Sequence, residues 1–292
     1  MTHQKRGRRK PTTLGQHFLR DKNVRKAIVD SIPRDGLPII EIGPGQGSLT
    51  QEIISLNRPL VAIELDGKLA HALQKQLRNW VSSAQPLIRV LNNDILTIEP
   101  EEVLASIGCQ PPYGIVGNLP YAITAPLIRK FLSSVKVPPA WMVIMVQREV
   151  AHQITAVPGK CSLLSISAQF YAKPELLFEV TPQSFDPPPK VHSAVVHLEH
   201  RTYPPVSIPS ESLFFDLVRA GFRTPRKQIH NSLSTENWIP DNNPRTWLTK
   251  NQIDPTRRAA TLTLDEWARL AWAREKIANS QPSPLPGNNQ RN

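Results

Sequence analysis

Leu37-Pro38-Ile39-Ile40-Glu41-Ile42-Gly43-Pro44-Gly45-Gln46-Gly47-Ser48 reads as a short apolar strand running into a glycine-rich turn and then into a helix start. Ser48 is placed to cap a helix reaching about Leu56. Glycines at alternate positions let backbone come close to a ligand. Glu64 follows 21 positions after Gly43, at the end of the next predicted strand, 59–65. A carboxylate at that distance is where a ribose diol is hydrogen-bonded in nucleotide-binding α/β folds. The dehydrogenase fingerprint spaces its glycines GxGxxG, whereas this stretch has GxGxG with Glu41 two positions ahead. That carboxylate would repel a pyrophosphate and suits an amine-bearing or cationic ligand. S-adenosylmethionine, with its sulfonium and α-amino group, is therefore a better electrostatic match than a nicotinamide cofactor.

Outward from this unit, the chain alternates apolar runs with amphipathic stretches, as expected of an α/β sheet. A helix is predicted over 69–80, with strands over 87–91, 114–117 and 141–146. A helix is then predicted over 149–156 and strands over 164–170 and 194–198. Pro182, Pro187, Pro188 and Pro189 fall between the last two and predict a fixed, extended loop. After Tyr203-Pro204-Pro205 the apolar residues recur at helical spacing, and Thr224-Pro225 reads as an N-cap with proline at the first position of a helix to about Ser232. The expected organisation is a basic flexible leader (1–14), an α/β domain (15–202), a small all-helical domain (203–278) and a disordered tail (279–292).

The 292 residues include 35 Lys and Arg against 24 Asp and Glu, a net charge of +11, and Lys5, Arg6, Arg8, Arg9 and Lys10 supply five positive charges within the first ten positions. An excess of this size attracts polyanions and points to nucleic acid as a partner. The longest apolar run falls far short of the roughly 20 residues of a membrane span. No apolar segment of signal-peptide type follows the basic start, so a cytoplasmic protein without a membrane partner is expected. Cys109 and Cys161 lie 52 positions apart without metal-ligand spacing, so neither a zinc site nor a disulfide framework is expected.

Asn118-Leu119-Pro120-Tyr121 ends the strand predicted at 114–117 and carries the sharpest chemistry. The Asn118 side-chain oxygen and the Leu119 carbonyl can each accept from an amino group, Pro120 fixes the turn, and Tyr121 offers a stacking face. Together they describe a clamp for the N6 of adenine. That nitrogen is a poor nucleophile because its lone pair is delocalised. Two acceptors on its hydrogens favour a nucleophilic form and stabilise the charge that develops on methylation. Asp94, after the strand predicted at 87–91, could accept from the amine of a cofactor adenine. Phe185, at the head of the proline run, could stack on a base withdrawn from its helix. Gln16-His17-Phe18-Leu19 precedes the sheet and could close over the cofactor.

Gly15-Gln16-His17-Phe18-Leu19, the loop at 41–47, Val61-Ala62-Ile63-Glu64-Leu65-Asp66, Asn118-Leu119-Pro120-Tyr121, Gln147-Arg148-Glu149-Val150, the stretch 185–191 and Asn231-Ser232-Leu233 occur in one order. In this the chain resembles the ribosomal RNA adenine N6,N6-dimethyltransferases, most closely their bacterial small-subunit branch. The resemblance spans about residues 15–270. It implies a Rossmann-like class I methyltransferase domain with a seven-stranded sheet and a small helical domain after it. It also implies S-adenosylmethionine as cofactor and dimethylation of two adjacent adenosines near the 3′ end of 16S rRNA, within the immature 30S subunit. By the same resemblance, His17, Leu19, Gly43, Glu64, Asp94 and Asn118 contact cofactor. Asn118, Leu119, Tyr121 and Phe185 form the catalytic clamp and stack. The charge distribution, separately, assigns RNA phosphate contacts to Arg223, Arg226 and Lys227, with Arg219 and the basic leader. Pro225-Arg226-Lys227 stands where the family commonly has Arg-Arg-Lys. No metal is implied, and a monomer is expected. A ribosome-assembly factor acting mainly by binding, and methylation of large-subunit rRNA or DNA adenine, are the alternatives.

Overall fold

Apolar segments too short to be buried helices pair here as parallel strands, and the amphipathic segments between them cover the sheet. The computed structural model describes residues 17–81 and 87–280; the expected leader, Gln16 and most of the expected tail lie outside these residues. The strands are β1 (Phe18–Leu19), β2 (Ile39–Ile42), β3 (Leu60–Glu64), β4 (Ile88–Asn92), β5 (Gly114–Asn118), β6 (Trp141–Gln147), β7 (Ala172–Val180), β8 (Phe185–Asp186) and β9 (Ser193–His200). The helices are α1 (Lys22–Asp30), α2 (Ser48–Ile54), α3 (Gly67–Trp80), α4 (Pro100–Ala105), α5 (Thr124–Arg129), α6 (Arg148–Ile154), α7 (Leu163–Tyr171), α8 (Glu211–Gly221), α9 (Ile229–Ser232), α10 (Pro244–Lys250) and α11 (Leu264–Ser280).

Seven strands form one sheet in the order β4-β3-β2-β5-β6-β9-β7. The first five are parallel, and β9 runs antiparallel to both β6 and β7. All residues of β2 and β3 are buried, as strands covered on both faces must be. The strand order turns back at β2, between β3 and β5, which is where open α/β sheets hold ligands. β1 and β8 make a separate antiparallel ribbon, with Phe18 opposite Asp186 and Leu19 opposite Phe185.

The described residues divide into two compact units, one running to Thr155 and resuming at Tyr171–His200, the other made of Ala156–Phe170 with the residues after His200. The expected boundary near 202 therefore does not account for 156–170, which clusters with the helical unit. The strand expected at 164–170 is a helix, α7. Apolar Leu164, Ile166, Ala168 and Phe170 alternate there with Ser165, Ser167 and Gln169, the period of a strand, and the structure overrides that pattern. What decides it is a reciprocal cap: Ser162 N donates to Ser165 Oγ at 2.8 Å and Ser165 N to Ser162 Oγ at 3.3 Å. Phe170 then stacks on Phe214 with ring centroids 5.1 Å apart, inside the same unit.

Three further expectations change. Ser48 does not cap α2; Gly47 precedes that helix in the left-handed region, and the Ser48 hydroxyl instead donates to the Leu19 carbonyl at 3.0 Å. Thr224-Pro225 opens a turn, and among the described residues the one helix between Thr224 and Leu233 is the four-residue α9. The Ile229 and His230 amides donate to the Arg257 and Pro255 carbonyls, so they are not available to a helix started at Pro225. The helix α11 continues to Ser280, past the expected start of the tail. Strand β7 was not anticipated because Lys173, Pro174, Glu175 and Glu179 blur its pattern. Charge and proline are what an edge strand carries.

Gly114 sets a test of the sheet. A Cβ on this buried residue would lie 2.0 Å from Trp141 Cζ2. The indole cannot swing freely, because Trp141 Nε1 donates to Asp35 Oδ2 at 2.6 Å and the Arg58 guanidinium lies over its ring. Gly114→Ala is expected to destabilise the folded chain by about 3 kcal/mol, at the upper end of ordinary overpacking. Denaturant unfolding measures this. A loss below about 1 kcal/mol would mean that the indole relaxes out of the way.

Candidate active site

The C-terminal ends of β2, β3 and β5 open into a cavity walled by Glu41, Gly43, Pro44, Gly45, Glu64 and the run from Asn118 to Tyr121; His17, Phe18, Leu19 and Phe185 close it from the β1–β8 side. Of the cofactor and clamp residues expected from sequence, His17, Leu19, Gly43, Glu64, Asn118, Leu119, Tyr121 and Phe185 line this cavity.

The glycine turn is held by its neighbour strand. Gly43, Gly45 and Gly47 have φ of 63°, 58° and 79°, a region glycine enters without steric cost. Gly43 N donates to the Ile63 carbonyl and Gly45 N to Glu64 Oε2, both at 2.9 Å. Glu64, 5 % exposed, also accepts from Asp66 N through Oε1 at 2.9 Å. Each of its oxygens keeps a second lone pair for a hydroxyl donor. Glu41 is 1 % exposed, and neither of its oxygens completes a hydrogen bond. Burial pushes its carboxyl up to about 8; the Thr50 hydroxyl pulls it down and the Glu64 carboxylate adds to the rise. An unsatisfied buried carboxyl in a cavity wall is costly to the fold, and a cationic ligand would complete it.

Asn118 ends β5 with its amide already half committed. Its Nδ2 donates to the His17 carbonyl at 3.3 Å, which leaves Oδ1 as the acceptor facing elsewhere. Leu119 N donates to the Met145 carbonyl at 3.0 Å, tying the clamp to β6. The Tyr121 hydroxyl meets Ser193 Oγ of β9 at 3.2 Å, so the ring is fixed at both ends. On the other side, His17 Nδ1 contacts the Pro187 carbonyl at 2.7 Å and Arg20 N donates to the Ser184 carbonyl at 2.8 Å. The ribbon thus joins the leader segment to the loop that carries Phe185. Phe185 is 3 % exposed and packs with the sheet core while lining the cavity.

Asp94 stands apart from the cavity lining. It follows β4, and its Oδ1 accepts from Leu96 N at 2.9 Å. Lys130, which no sequence motif singles out, holds this loop by donating from Nζ to the Ile98 carbonyl and, at 3.2 Å, to the Ile95 carbonyl. Ser48, Ser193 and Lys130 act through partners 29, 72 and 32 to 35 positions away, and no local pattern reveals such pairs. In the helical unit, Arg219 pairs with Asp216 at 2.6 Å and Arg223 with Glu236 at 2.8 Å, while Arg226 and Lys227 are exposed.

The model of the family described as ribosomal RNA adenine dimethylase matches residues 7–275. The chain belongs to that family. It is 41 % identical over 260 residues to a ribosomal RNA small subunit methyltransferase A of Dehalococcoides mccartyi, covering 88 % of this chain and 86 % of the relative. The same named enzyme of Listeria innocua is 38 % identical over 270 residues, covering 89 % and 88 %. Among solved structures, the 23S rRNA methyltransferase ErmE superposes with a TM-score of 0.67 at 27 % identity, over 88 % of this chain and 99 % of that one. A dimethyladenosine transferase from Plasmodium falciparum gives 0.72 at 22 % identity, over 90 % and 98 %, which bears on fold alone. The fold is that of the class I methyltransferases, and the family makes this chain an rRNA adenine dimethyltransferase. Among the described residues, no helix is long and apolar enough to cross a membrane.

Proposed function

We propose that the chain uses S-adenosylmethionine to dimethylate N6 of two adjacent adenosines near the 3′ end of 16S rRNA, on the immature 30S subunit, as a cytoplasmic monomer. The observation that carries the chemistry is the clamp: Asn118 Oδ1 is left as an acceptor at the cavity wall, beside a tied Leu119 and an anchored Tyr121. The small-subunit target rests on the names of the bacterial relatives.

The residues present fit the cofactor. Glu41 offers a buried, unsatisfied carboxyl to a cationic or amine-bearing ligand, and Glu64 retains acceptor capacity for ribose hydroxyls. The glycine turn admits close backbone approach, and His17 and Leu19 cover the same cavity. When bound, S-adenosylmethionine supplies a methyl group on a cationic sulfur. Asn118 Oδ1 and the Leu119 carbonyl accept the two N6 hydrogens of the target adenine. This localises the nitrogen lone pair and stabilises its developing positive charge. Tyr121 and Phe185 hold the base between aromatic faces. The methylated nitrogen is acidic and loses its proton to water, so no strong base is required. In the second round one N6 hydrogen is gone, and a single acceptor suffices.

Arg226 and Lys227, exposed on the helical unit, contact RNA phosphate. Replacing both with glutamine is expected to weaken RNA binding at physiological salt and to lower the salt slope by about 0.7–0.9 for each phosphate no longer neutralised. Filter binding across a salt series measures it; an unchanged slope removes them from the interface. The experiment that tests the function is incubation with labelled S-adenosylmethionine and immature 30S particles, naked 16S rRNA, 50S particles or DNA, followed by nucleoside analysis. Dimethyladenosine from 30S alone is the expected result. Label in 50S instead would favour the reading suggested by the likeness to ErmE. Cofactor binding with no transfer to any substrate would favour an assembly factor.

A further inference from the structure

Helix α3 carries Lys68, His71, Lys75 and Arg78, spaced three, four and three residues apart and all exposed. At 100° per residue they fall within one narrow stripe, opposite the buried Ala70, Leu73 and Leu77. The helix contains no Asp or Glu, and its preceding acid, Asp66, is engaged by the Lys68 and Leu69 amides. Arg89 extends the stripe from β4, the edge strand of the sheet, and lines a groove with Arg78, Gln74 and Asn92. None of the five basic residues makes an ion pair among the described residues.

Apart from Arg78, whose place in the last turn suits the helix dipole, this arrangement works against the helix. Lys75 has a like-charged neighbour at i+3 in Arg78, and Lys68 stands in the first turn, where the helix dipole disfavours a cation. Surface helices usually offset such charges with acids one turn away, and α3 has none. A polyanion would supply the missing countercharge. The stripe also starts at the right place: Glu64, in the cavity wall, precedes α3 by three residues. From Lys68 to Arg78 the stripe runs about 15 Å away from that edge, enough to follow a nucleic-acid backbone.

We infer that the α3 stripe with Arg89 is a second RNA-binding surface, which holds phosphates of the substrate away from the target adenine. The inference rests on the rRNA reading above. RNA is favoured over an acidic protein because the stripe begins beside the cavity wall and its Arg78 and Arg89 guanidiniums share one groove, planar forks that match phosphate oxygens.

The test replaces Lys68, Lys75, Arg78 and Arg89 together with glutamine; none of them belongs to the cavity. Binding of immature 30S particles and naked 16S rRNA is measured between 50 and 300 mM salt, roughly the range where the counterion effect is large. The expected result is a salt slope lower by about 2–3 and at least a tenfold rise in KM for RNA at physiological salt. The turnover rate at saturating RNA, the Kd for S-adenosylhomocysteine and the melting temperature stay as in the parent. Unchanged slope and KM overturn the inference, as does a loss confined to vesicles containing phosphatidylserine or to an acidic peptide. A parent protein that transfers no methyl to any RNA condemns the rRNA reading instead. A quadruple variant with a lowered melting temperature is replaced by the Lys75→Gln and Arg78→Gln pair, whose slope decides in the same way.

Discussion

Asn118→Ala is expected to slow methyl transfer by about 10²–10³-fold, the scale seen when one preorganised hydrogen-bonding group is removed from a developing charge. Cofactor affinity is expected to change by less than about tenfold, because Glu41, Glu64 and the glycine turn remain in place. The asymmetry follows from the geometry. The amide spends its Nδ2 on the His17 carbonyl, so what alanine deletes is chiefly Oδ1, an acceptor that acts on the reacting amine. Asn118→Asp separates the two halves of the amide. It keeps an acceptor but places a carboxylate oxygen against the His17 carbonyl, so it loses the anchor and gains a repulsion. Its rate is expected to fall between those of the parent and Asn118→Ala at low pH and to drop further as the carboxylate ionises. Single-turnover transfer at saturating cofactor and RNA, with equilibrium binding of S-adenosylhomocysteine alongside, measures both quantities. Parent-like transfer by Asn118→Ala would remove Asn118 from the chemistry.

What the sequence revealed of this site divides by the range of the interaction. The glycine turn, Glu64 and the Asn118 clamp were legible because each is a local pattern at a strand end, where chain direction and residue type together dictate a ligand-facing position. The five parallel strands were legible for the same reason: β2 and β3 are buried throughout and apolar except at Glu41 and Glu64. Helix α7 failed because Leu164, Ile166, Ala168 and Phe170 alternate with Ser165, Ser167 and Gln169 at a strand's period, and the Ser162–Ser165 reciprocal cap overrides that pattern. The error at Thr224-Pro225 has another cause. The motif is a sound helix start by itself, but the amides that a helix would use are taken by the loop at 255–257. The ribbon of β1 and β8 and the Tyr121–Ser193 contact join segments far apart in the chain, and nothing near either partner announces them. Fold-defining contacts were thus mostly local in pattern, while the contacts that aim the groups lining the cavity were not.

Glu41→Gln is expected to change how both stability and cofactor binding respond to pH. In the folded chain burial holds this carboxyl up to about 8, against an ordinary value of 4.5. Below about pH 4.5 it is protonated in both folded and unfolded chains and contributes no penalty. As pH rises from there the unfolded chain releases the proton while the folded chain keeps it. Stability therefore declines by up to about 1.4 kcal/mol per pH unit until the folded carboxyl ionises near pH 8. Glutamine, nearly the same shape and never charged, removes that decline. The variant is expected to match the parent near pH 5 and to exceed it by several kcal/mol at pH 8. Binding runs the other way. A cationic ligand in the cavity favours the ionised carboxylate, so S-adenosylmethionine drives Glu41 to release its proton when it binds below pH 8. Parent affinity should rise with pH through this window, and Glu41→Gln should bind more weakly with no such rise. Calorimetry in buffers of different ionisation enthalpy counts the released proton directly, and denaturant unfolding at pH 5, 6.5 and 8 gives the stability arm. Proton release by the Glu41→Gln variant equal to that of the parent would show that the cofactor's positive charge is met by some other group. The buried carboxyl would then be a cost that the fold carries for a different purpose.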